Sequence, residues 1–526
     1  MIPRDLLARC ASNFPDKIAY YCGERQRTWH EMNQRASQLA AALQKLGAKK
    51  SDTVAILGHE SFEIYEHFFA CMKLGTVRVS VNWRYAPPEV LHVLRDSSAK
   101  FLLVQTSTCL DLLSKLEKEL AALGIILIGY GGAHDLPHDY ETCLSQAANL
   151  APALPPLADD DVLLYSYTSG TTGYPKGAML THGAVGRVVF QSLVGFGFHA
   201  DDIWCMPAQS AWVAVLMNLL GLGNGMSHVI PNGMFEITQF MRDIERLKIT
   251  SVLLVPTMIY RAIQEHKTGA YDLSSLRLIV YGSSPAAPAL IREAYATFGC
   301  DMLQTYAMTE STGGWVTYLY PSEHRYALAH EPDLLNSVGR AGVMFELSIR
   351  DEAGQRLPPN TKGEIWLKGE TLMKGYLNLP EQTADALRGE RGEWLCTNDI
   401  GRVDERGYLY LMDRKKFMII TGGVNVFPAA VEAIVLEHPA VEEVAVVGAP
   451  HPEWGETVVG VAKLKNGAVA TSAELVLFCQ ERLSRAESPK HFLFRDELPK
   501  TLTGKMQKNM IKEWVLANAN LLPWQV

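Results

Sequence analysis

The chain has 526 residues, is 48% hydrophobic and 20% charged, the balance of a globular protein with large cores, and a length that suggests three or four compact units at roughly 150 residues each. Its 49 basic and 57 acidic side chains leave a formal charge of −8. That argues against a nucleic-acid partner, which wants a basic surface, but not against a nucleotide, which needs only a local basic site.

Nine cysteines lie scattered at 10, 22, 71, 109, 143, 205, 300, 396 and 479. None forms a CxxC pair, so neither a zinc site nor a disulfide framework is expected, and a reducing, cytoplasmic setting is. No apolar h-region follows Met1-Ile2-Pro3-Arg4-Asp5, so no signal peptide is expected. The most apolar stretch, Ala211 to Leu222, is shorter than the roughly 20 residues of a membrane span and contains Asn218. It reads as a buried helix. The tail Leu522-Pro523-Trp524-Gln525-Val526 matches no peroxisomal or prenylation signal.

Residues 1–150 alternate strands and helices. Asp16 to Tyr21 reads as a strand. Thr28 with Glu31 makes a capping box that opens an amphipathic helix from Trp29 to Leu46, with Leu39, Leu43 and Leu46 on one face. Asp52 to Leu57 reads as a buried strand, and Phe62 to Leu74 as a helix stopped by Gly75. Val77 to Val81 and Phe101 to Val104 are further strands. The alternation predicts a parallel sheet with helices on both faces. Residues 151–159 form a Pro-rich connector.

Next comes Tyr165-Ser166-Tyr167-Thr168-Ser169-Gly170-Thr171-Thr172-Gly173-Tyr174-Pro175-Lys176-Gly177, after the buried strand Asp161 to Leu164. Glycines let backbone N–H groups line a concavity suited to phosphate oxygens. The hydroxyls of Thr168, Ser169, Thr171 and Thr172 add donors, and Lys176 a point charge. The spacing is not that of a Walker A loop. Taken alone, such a loop is more often a polar hairpin turn. A helix predicted from His182 to Val194 puts this one at a strand-to-helix turn, where anions are favoured.

Downstream, Ile249 to Val255 and Leu276 to Tyr281 read as strands, and Ile259 to Glu265 and Ala287 to Phe298 as helices. Gln304-Thr305-Tyr306-Ala307-Met308-Thr309-Glu310 follows another strand. Tyr306 can stack on a purine, Thr309 can bond a phosphoryl oxygen, and Glu310 can ligate magnesium. A lone Thr-Glu is more often a helix cap. Residues 330–412 break into short β segments with turns, suggesting a small barrel. Residues 413–526 follow an α+β pattern, with strands Val444 to Gly448 and Thr457 to Lys463 and helices Val431 to Glu437 and Ala473 to Leu483.

These motifs, in order and along essentially the whole chain, resemble those of the adenylate-forming superfamily: acyl-CoA synthetases, aryl-CoA ligases, peptide-synthetase adenylation domains and firefly luciferase. The resemblance implies a large N-terminal domain (1–412) of two α/β subdomains, about 1–155 and 156–330, and a small β-barrel subdomain, 331–412. A small mobile α+β C-terminal domain, 413–526, follows. It implies a nucleotide held by Thr168, Ser169, Gly170, Thr171, Thr172, Gly173 and Lys176, by the adenine-side turn Gly282-Ser283-Ser284, and by Tyr306, Asp399 and Arg414. Asp399 stands in Trp394-Leu395-Cys396-Thr397-Asn398-Asp399, where a carboxylate accepts from both ribose hydroxyls. Asn398 replaces the family's glycine, and Asn also tolerates the left-handed region.

The resemblance further implies magnesium on Glu310 and Thr171, a hinge at Lys416 within Asp413-Arg414-Lys415-Lys416, and a thiol-facing turn at Gly422-Gly423. On charge alone, that cationic run would be solvated surface. The mobile catalytic lysine is Lys505 in Pro499-Lys500-Thr501-Leu502-Thr503-Gly504-Lys505, acting with Thr309 and Glu310. Ser210, Trp212, Tyr281 and Ala307 would line the acyl pocket. Ser210 stands where the family carries His, and Ala307 where it carries Gly, so a narrow apolar pocket for an aromatic or short-to-medium-chain acid is expected.

The implied reaction makes an acyl-adenylate from ATP and passes the acyl group to coenzyme A. The alternative acceptor is the phosphopantetheine of a carrier protein. A non-catalytic scaffold would carry damage at Glu310, Asp399 or Lys505, and all three are intact. The expected partners are the acid, ATP and CoA; for assembly, a homodimer is only a guess.

Overall fold

Thr28 opens its helix as the sequence predicts. Its hydroxyl accepts from the Glu31 N–H at 3.1 Å, the Glu31 carboxylate accepts from the Thr28 N–H at 2.8 Å, and the helix runs Trp29–Lys45. A computed structural model describes residues 2–168, 175–207, 209–269, 271–284, 286–421, 424–500 and 506–524, with the side chains of Lys416 and Asn425 outside that description. The chain forms two compact units, Met1–Glu346 with Leu367–Leu395, and Leu347–Trp366 with Cys396–Val526.

The first unit holds two large sheets. One has seven strands in the order His138–Asp139, Ile126–Tyr130, Ala99–Gln105, Thr53–Leu57, Val77–Val81, Val162–Thr168, Lys176–Thr181. All neighbours are parallel except the last pair. Every residue of Thr53–Leu57 and Val77–Val81 is buried, which is why these strands show no polar alternation.

The other sheet has nine strands, with Ile203–Cys205, Ser251–Leu254, Leu278–Tyr281 and Asp301–Tyr306 parallel at its centre and antiparallel pairs at both edges. Ile18–Cys22 pairs with Ser227–Ile230, so the first strand of the chain belongs to this later sheet. The helix Phe62–Leu74 is buried at every position but Glu63 and ends at Gly75 in the left-handed region. Its buried charged groups are partnered: Glu66 by Arg35 at 2.6 Å and Tyr140 at 2.7 Å, Lys73 by Asn33 at 2.7 Å.

The strands between residues 53 and 139 are parallel, as the alternation predicts. One expectation needs correction. The glycine- and threonine-rich loop is not a strand-to-helix turn: Lys176–Thr181 returns antiparallel to Val162–Thr168, and the helix His182–Phe196 starts only after it. The segments on either side of it are therefore the two arms of a hairpin. The apolar stretch is a buried helix as expected, in 3-10 form over Val213–Leu222. The Asn218 carbonyl accepts from the Tyr20 hydroxyl at 2.6 Å and the Gly221 N–H donates to His228 at 2.9 Å, so side chains from outside divert the groups an α ladder would use.

The second unit is built on the hairpin Val441–His451 and Gly455–Leu464, joined by Ile419–Thr421, Val424–Val426 and the parallel strand His491–Phe494. Helices Pro428–Val435, Ser472–Gln480 and Lys508–Ala517 accompany it, and two apolar clusters, one around Val446 and Phe492 and the other around Val459 and Ile511, form its cores. This unit also carries most of a five-stranded sheet in which Leu409–Arg414 pairs with Trp394–Val403. Among the described residues no helix is long and apolar enough to cross a membrane.

The first unit buries His67, His182, His228 and His324 completely. Burial disfavours the imidazolium and lowers each pKa, to about 4 for His182 and His324 and about 3 for His228. The unfolded chain, with histidine near 6.5, thus binds more protons than the folded one below neutrality. Stability is full above about pH 6.5 and falls as the pH drops toward 4. Urea unfolding at pH 7.5, 6.5 and 5.5 is expected to show a steadily lower midpoint; a flat series would contradict it.

Candidate active site

The hairpin sets the site's frame. Thr168 and Lys176 are paired across its two strands. The residues between them to which phosphate contacts were assigned, Ser169, Gly170, Thr171, Thr172 and Gly173, lie outside the described residues. The Pro175 carbonyl is 2.9 Å from His92 Nε2, which anchors the returning end. Gly177 lies against the Tyr167 ring, where a Cβ would come within 3.1 Å of Cζ.

A second segment docks on the return strand. Met179 N–H donates to the Gly375 carbonyl at 2.9 Å, Lys374 N–H to Met179 at 2.9 Å and Leu377 N–H to Gly177 at 2.8 Å. Lys176 Nζ stands 5.9 Å from the centre of the Tyr376 ring, within cation–π range. The Tyr376 hydroxyl donates to Glu310 Oε1 at 2.7 Å. One tyrosine thus touches both the lysine at the loop's end and the carboxylate to which magnesium was assigned.

Glu310 lies in the short 3-10 turn Thr309–Ser311, just past the end of Asp301–Tyr306. The Ser311 hydroxyl donates to the Met308 carbonyl at 2.9 Å, and Thr312 and Gly313 follow at φ +58° and +63°. The neighbouring strand, Leu278–Tyr281, ends at Gly282. A Cβ on Gly282 would stand 2.5 Å from the Thr305 carbonyl, so only glycine fits, and Ser283 takes φ +67°. Gly282, Ser283 and Ser284 therefore lie beside Tyr306, Thr309 and Glu310 at the carboxyl ends of adjacent parallel strands, where α/β sheets bind ligands.

The residues assigned to the acyl pocket divide into two kinds. Trp212 and Ala307 are partly exposed, whereas Ser210 and Tyr281 are buried. The Ser210 N–H donates to the Glu60 carboxylate, its carbonyl accepts from Arg78 at 3.3 Å, and its hydroxyl lies 3.4 Å from that of Ser80. Burial pushes the Glu60 carboxyl up, and the bonds from Ser210 and Tyr65 and the charge of Arg78 oppose the rise. The Tyr281 hydroxyl is held 2.8 Å from His324 and 3.2 Å from Gln304. Nothing near Ser210 in the sequence signals its partner at position 60; only an unexplained acid before a buried helix hints at it.

The second unit holds the remaining described residues. Asp399 is buried and pairs with Arg414 Nε at 3.0 Å. Asn398 takes φ +59°, the left-handed conformation expected of it. Glu364 accepts from the Asn398 N–H at 3.2 Å and pairs with Lys415 at 3.2 Å. Asp413 and Glu432 share Lys508, at 3.5 and 3.0 Å. The basic run 414–415 is therefore charge-matched rather than merely solvated. Lys505, Gly422, Gly423 and the Lys416 side chain lie outside the described residues.

Among the described residues no group of three or more His, Cys, Asp or Glu could hold a metal ion. A single carboxylate such as Glu310 fits magnesium, which takes one or two carboxylates together with substrate phosphates.

A family model described as AMP-binding enzyme matches residues 7–377, and one described as AMP-binding enzyme C-terminal domain matches 430–505. The chain is similar to a feruloyl-CoA synthase from an Amycolatopsis species, 34% identical over 507 residues that cover 96% of this chain and 97% of the relative. It is similar to a fatty acid–[acyl-carrier-protein] ligase from Streptomyces coeruleorubidus, 31% identical over 529 residues, 96% of this chain and 94% of the relative. Among solved structures it is similar to o-succinylbenzoate CoA synthetase from Bacillus subtilis in complex with its acyl-adenylate intermediate, with TM-score 0.84, 28% identity and coverage of 96% and 97%.

The Ser210 environment yields a prediction. Ser210→His places the residue of the superfamily pattern at a buried, hydrogen-bonded position. The expected cost is about 1–3 kcal/mol of overpacking, read as a lower denaturant midpoint, with Ser210→Ala close to wild type. A histidine variant as stable as wild type would show that the site has space.

Proposed function

Because this chain belongs to the family of AMP-binding enzymes, we propose that it activates a carboxylic acid with ATP and joins the acyl group to the thiol of coenzyme A. A carboxylate acylates poorly at neutral pH, since its leaving group would be oxide. In the first step a carboxylate oxygen bonds to the α-phosphorus of ATP and pyrophosphate leaves. In the second the thiol sulfur bonds to the acyl carbon, AMP leaves with that oxygen, and the thiol proton passes to solvent. The chain's contribution is positioning and neutralisation of charge.

The observation that carries this reading is the convergence of Lys176, Tyr376, Glu310 and Thr309 in one unit, with Gly282 and Tyr306 on neighbouring strand ends. Lys176 and the hairpin tip hold the leaving phosphates, Thr309 bonds a phosphoryl oxygen, and Tyr306 with the Gly282–Ser284 turn flanks the base. Asp399 accepts from the ribose hydroxyls, and Arg414 reaches the nucleotide. Magnesium on Glu310, with Thr171, supplies charge screening for the phosphates. Lys505 neutralises charge between carboxylate and α-phosphate. We assign this adenylation machinery to residues 1–412 and Lys505 to a mobile C-terminal domain, 413–526, with its hinge at Lys416 and its thiol face at Gly422-Gly423.

For the acid, partly exposed Trp212 and Ala307 favour an aromatic or short-to-medium-chain substrate, and similarity to a feruloyl-CoA synthase supports the aromatic choice. Nine free cysteines favour the cytoplasm. A second reading, transfer to a carrier-protein phosphopantetheine, is favoured by the similarity to an acyl-carrier-protein ligase.

Acid-dependent pyrophosphate release across a panel of aromatic and aliphatic acids tests the reading, with CoA and a phosphopantetheinyl carrier protein compared as acceptors. CoA thioester is expected with at least one aromatic or short-to-medium-chain acid. Transfer only to the carrier would establish the second reading. Lys505→Ala should lower the adenylation rate about 10²–10³-fold; adenylation at the wild-type rate would remove that lysine from the chemistry.

A further inference from the structure

The segment that carries Tyr376 is held at several points in the first unit. The Met373 N–H donates to the Glu310 carbonyl at 2.8 Å, so the segment is fastened to the backbone of the residue its tyrosine reaches. Residues 374–377 are laced to the hairpin's return strand by three backbone hydrogen bonds. The Tyr376 N–H donates to the Thr383 hydroxyl at 2.9 Å, and that hydroxyl in turn donates to the Leu379 carbonyl at 2.9 Å. Gly375 takes φ +145°, and a Cβ there would meet the Thr383 methyl at 2.7 Å. The tyrosine backbone is thus fixed from both sides before its side chain extends.

A glutamate side chain has three rotatable bonds and two equivalent oxygens, so a carboxylate meant to hold a metal must be aimed. The Tyr376 phenol donates to one oxygen, Oε1, at 2.7 Å. Its single proton leaves Oε2 to face a cation. The same ring lies 5.9 Å from Lys176 Nζ, so the group that aims the carboxylate also registers the lysine of the hairpin. We propose, on the reading that Glu310 carries the magnesium of MgATP, that Tyr376 is a positioning residue which orients the Glu310 carboxylate and ties it to the phosphate-binding hairpin.

The test is calorimetric binding of ATP to the full-length protein, in magnesium and in EDTA, for wild type, Tyr376→Phe and Glu310→Gln. Phenylalanine removes one oxygen and leaves the ring over Lys176. Wild type is expected to bind ATP more tightly with magnesium. Tyr376→Phe should lose about tenfold or more of that gain, in the range seen when groups that orient metal ligands are removed, while its affinity in EDTA and its thermal midpoint stay near wild type.

A Tyr376→Phe protein that keeps the full gain overturns the proposal. So does one that weakens ATP equally with and without magnesium, since that is what a packing role would give. Glu310→Gln separates the layers. If it abolishes the gain while Tyr376→Phe keeps it, only the positioning role falls. If it too keeps the gain, the reading of Glu310 as the magnesium carboxylate falls first.

Discussion

The pairing of Thr168 with Lys176 across an antiparallel hairpin is the constraint on which the first unit's site depends. A chain of net charge −8 has no general attraction for a polyanion, and the hairpin fixes one cation, Lys176, at a defined place. The hairpin supplies that fixity through backbone hydrogen bonds, and its return strand has a free edge. Residues 374–377 occupy that edge, and through Tyr376 they bring the Glu310 turn into the same frame. Cation, aromatic ring and carboxylate come from three distant stretches of sequence and are held by one strand.

The second unit treats charge differently. Arg414 and Lys415 are about half exposed, at 52% and 42%, and pair with the buried Asp399 and the partly buried Glu364. Pairs whose cation is this exposed contribute at most about 1 kcal/mol. Lys508 is buried between Glu432 and Asp413. There the cost of desolvation is large and must be met by full pairing. Asp413 also accepts the Ala429 N–H at 2.8 Å, so the strand Leu409–Arg414 is tied to two helices.

What the sequence disclosed was local. The Thr28–Glu31 capping box, the Gly75 stop after Phe62–Leu74, the strand Val77–Val81 and the left-handed Asn398 follow from residues within a few positions of one another. What it hid was non-local. Whether the residues before His182 form a return strand depends on Val162–Thr168 offering an edge. The 3-10 form of Val213–Leu222 depends on Tyr20 and His228 drawing off its backbone groups. Burial of Ser210 depends on Glu60, 150 positions away, and the placing of Glu310 on Tyr376, 66 positions away. Motif order pointed to the chemistry because the motifs are short and contiguous; the groups that orient them are neither.

The central claim is that the acid is activated by bonding one of its oxygens to the α-phosphorus of ATP. A carboxylic acid labelled with oxygen-18 in both carboxyl oxygens, turned over with ATP and CoA, follows that bond directly. Mass spectrometry of the products should find one labelled oxygen in AMP and none in pyrophosphate. Unlabelled AMP, or label in inorganic phosphate formed alongside ADP, would contradict the account.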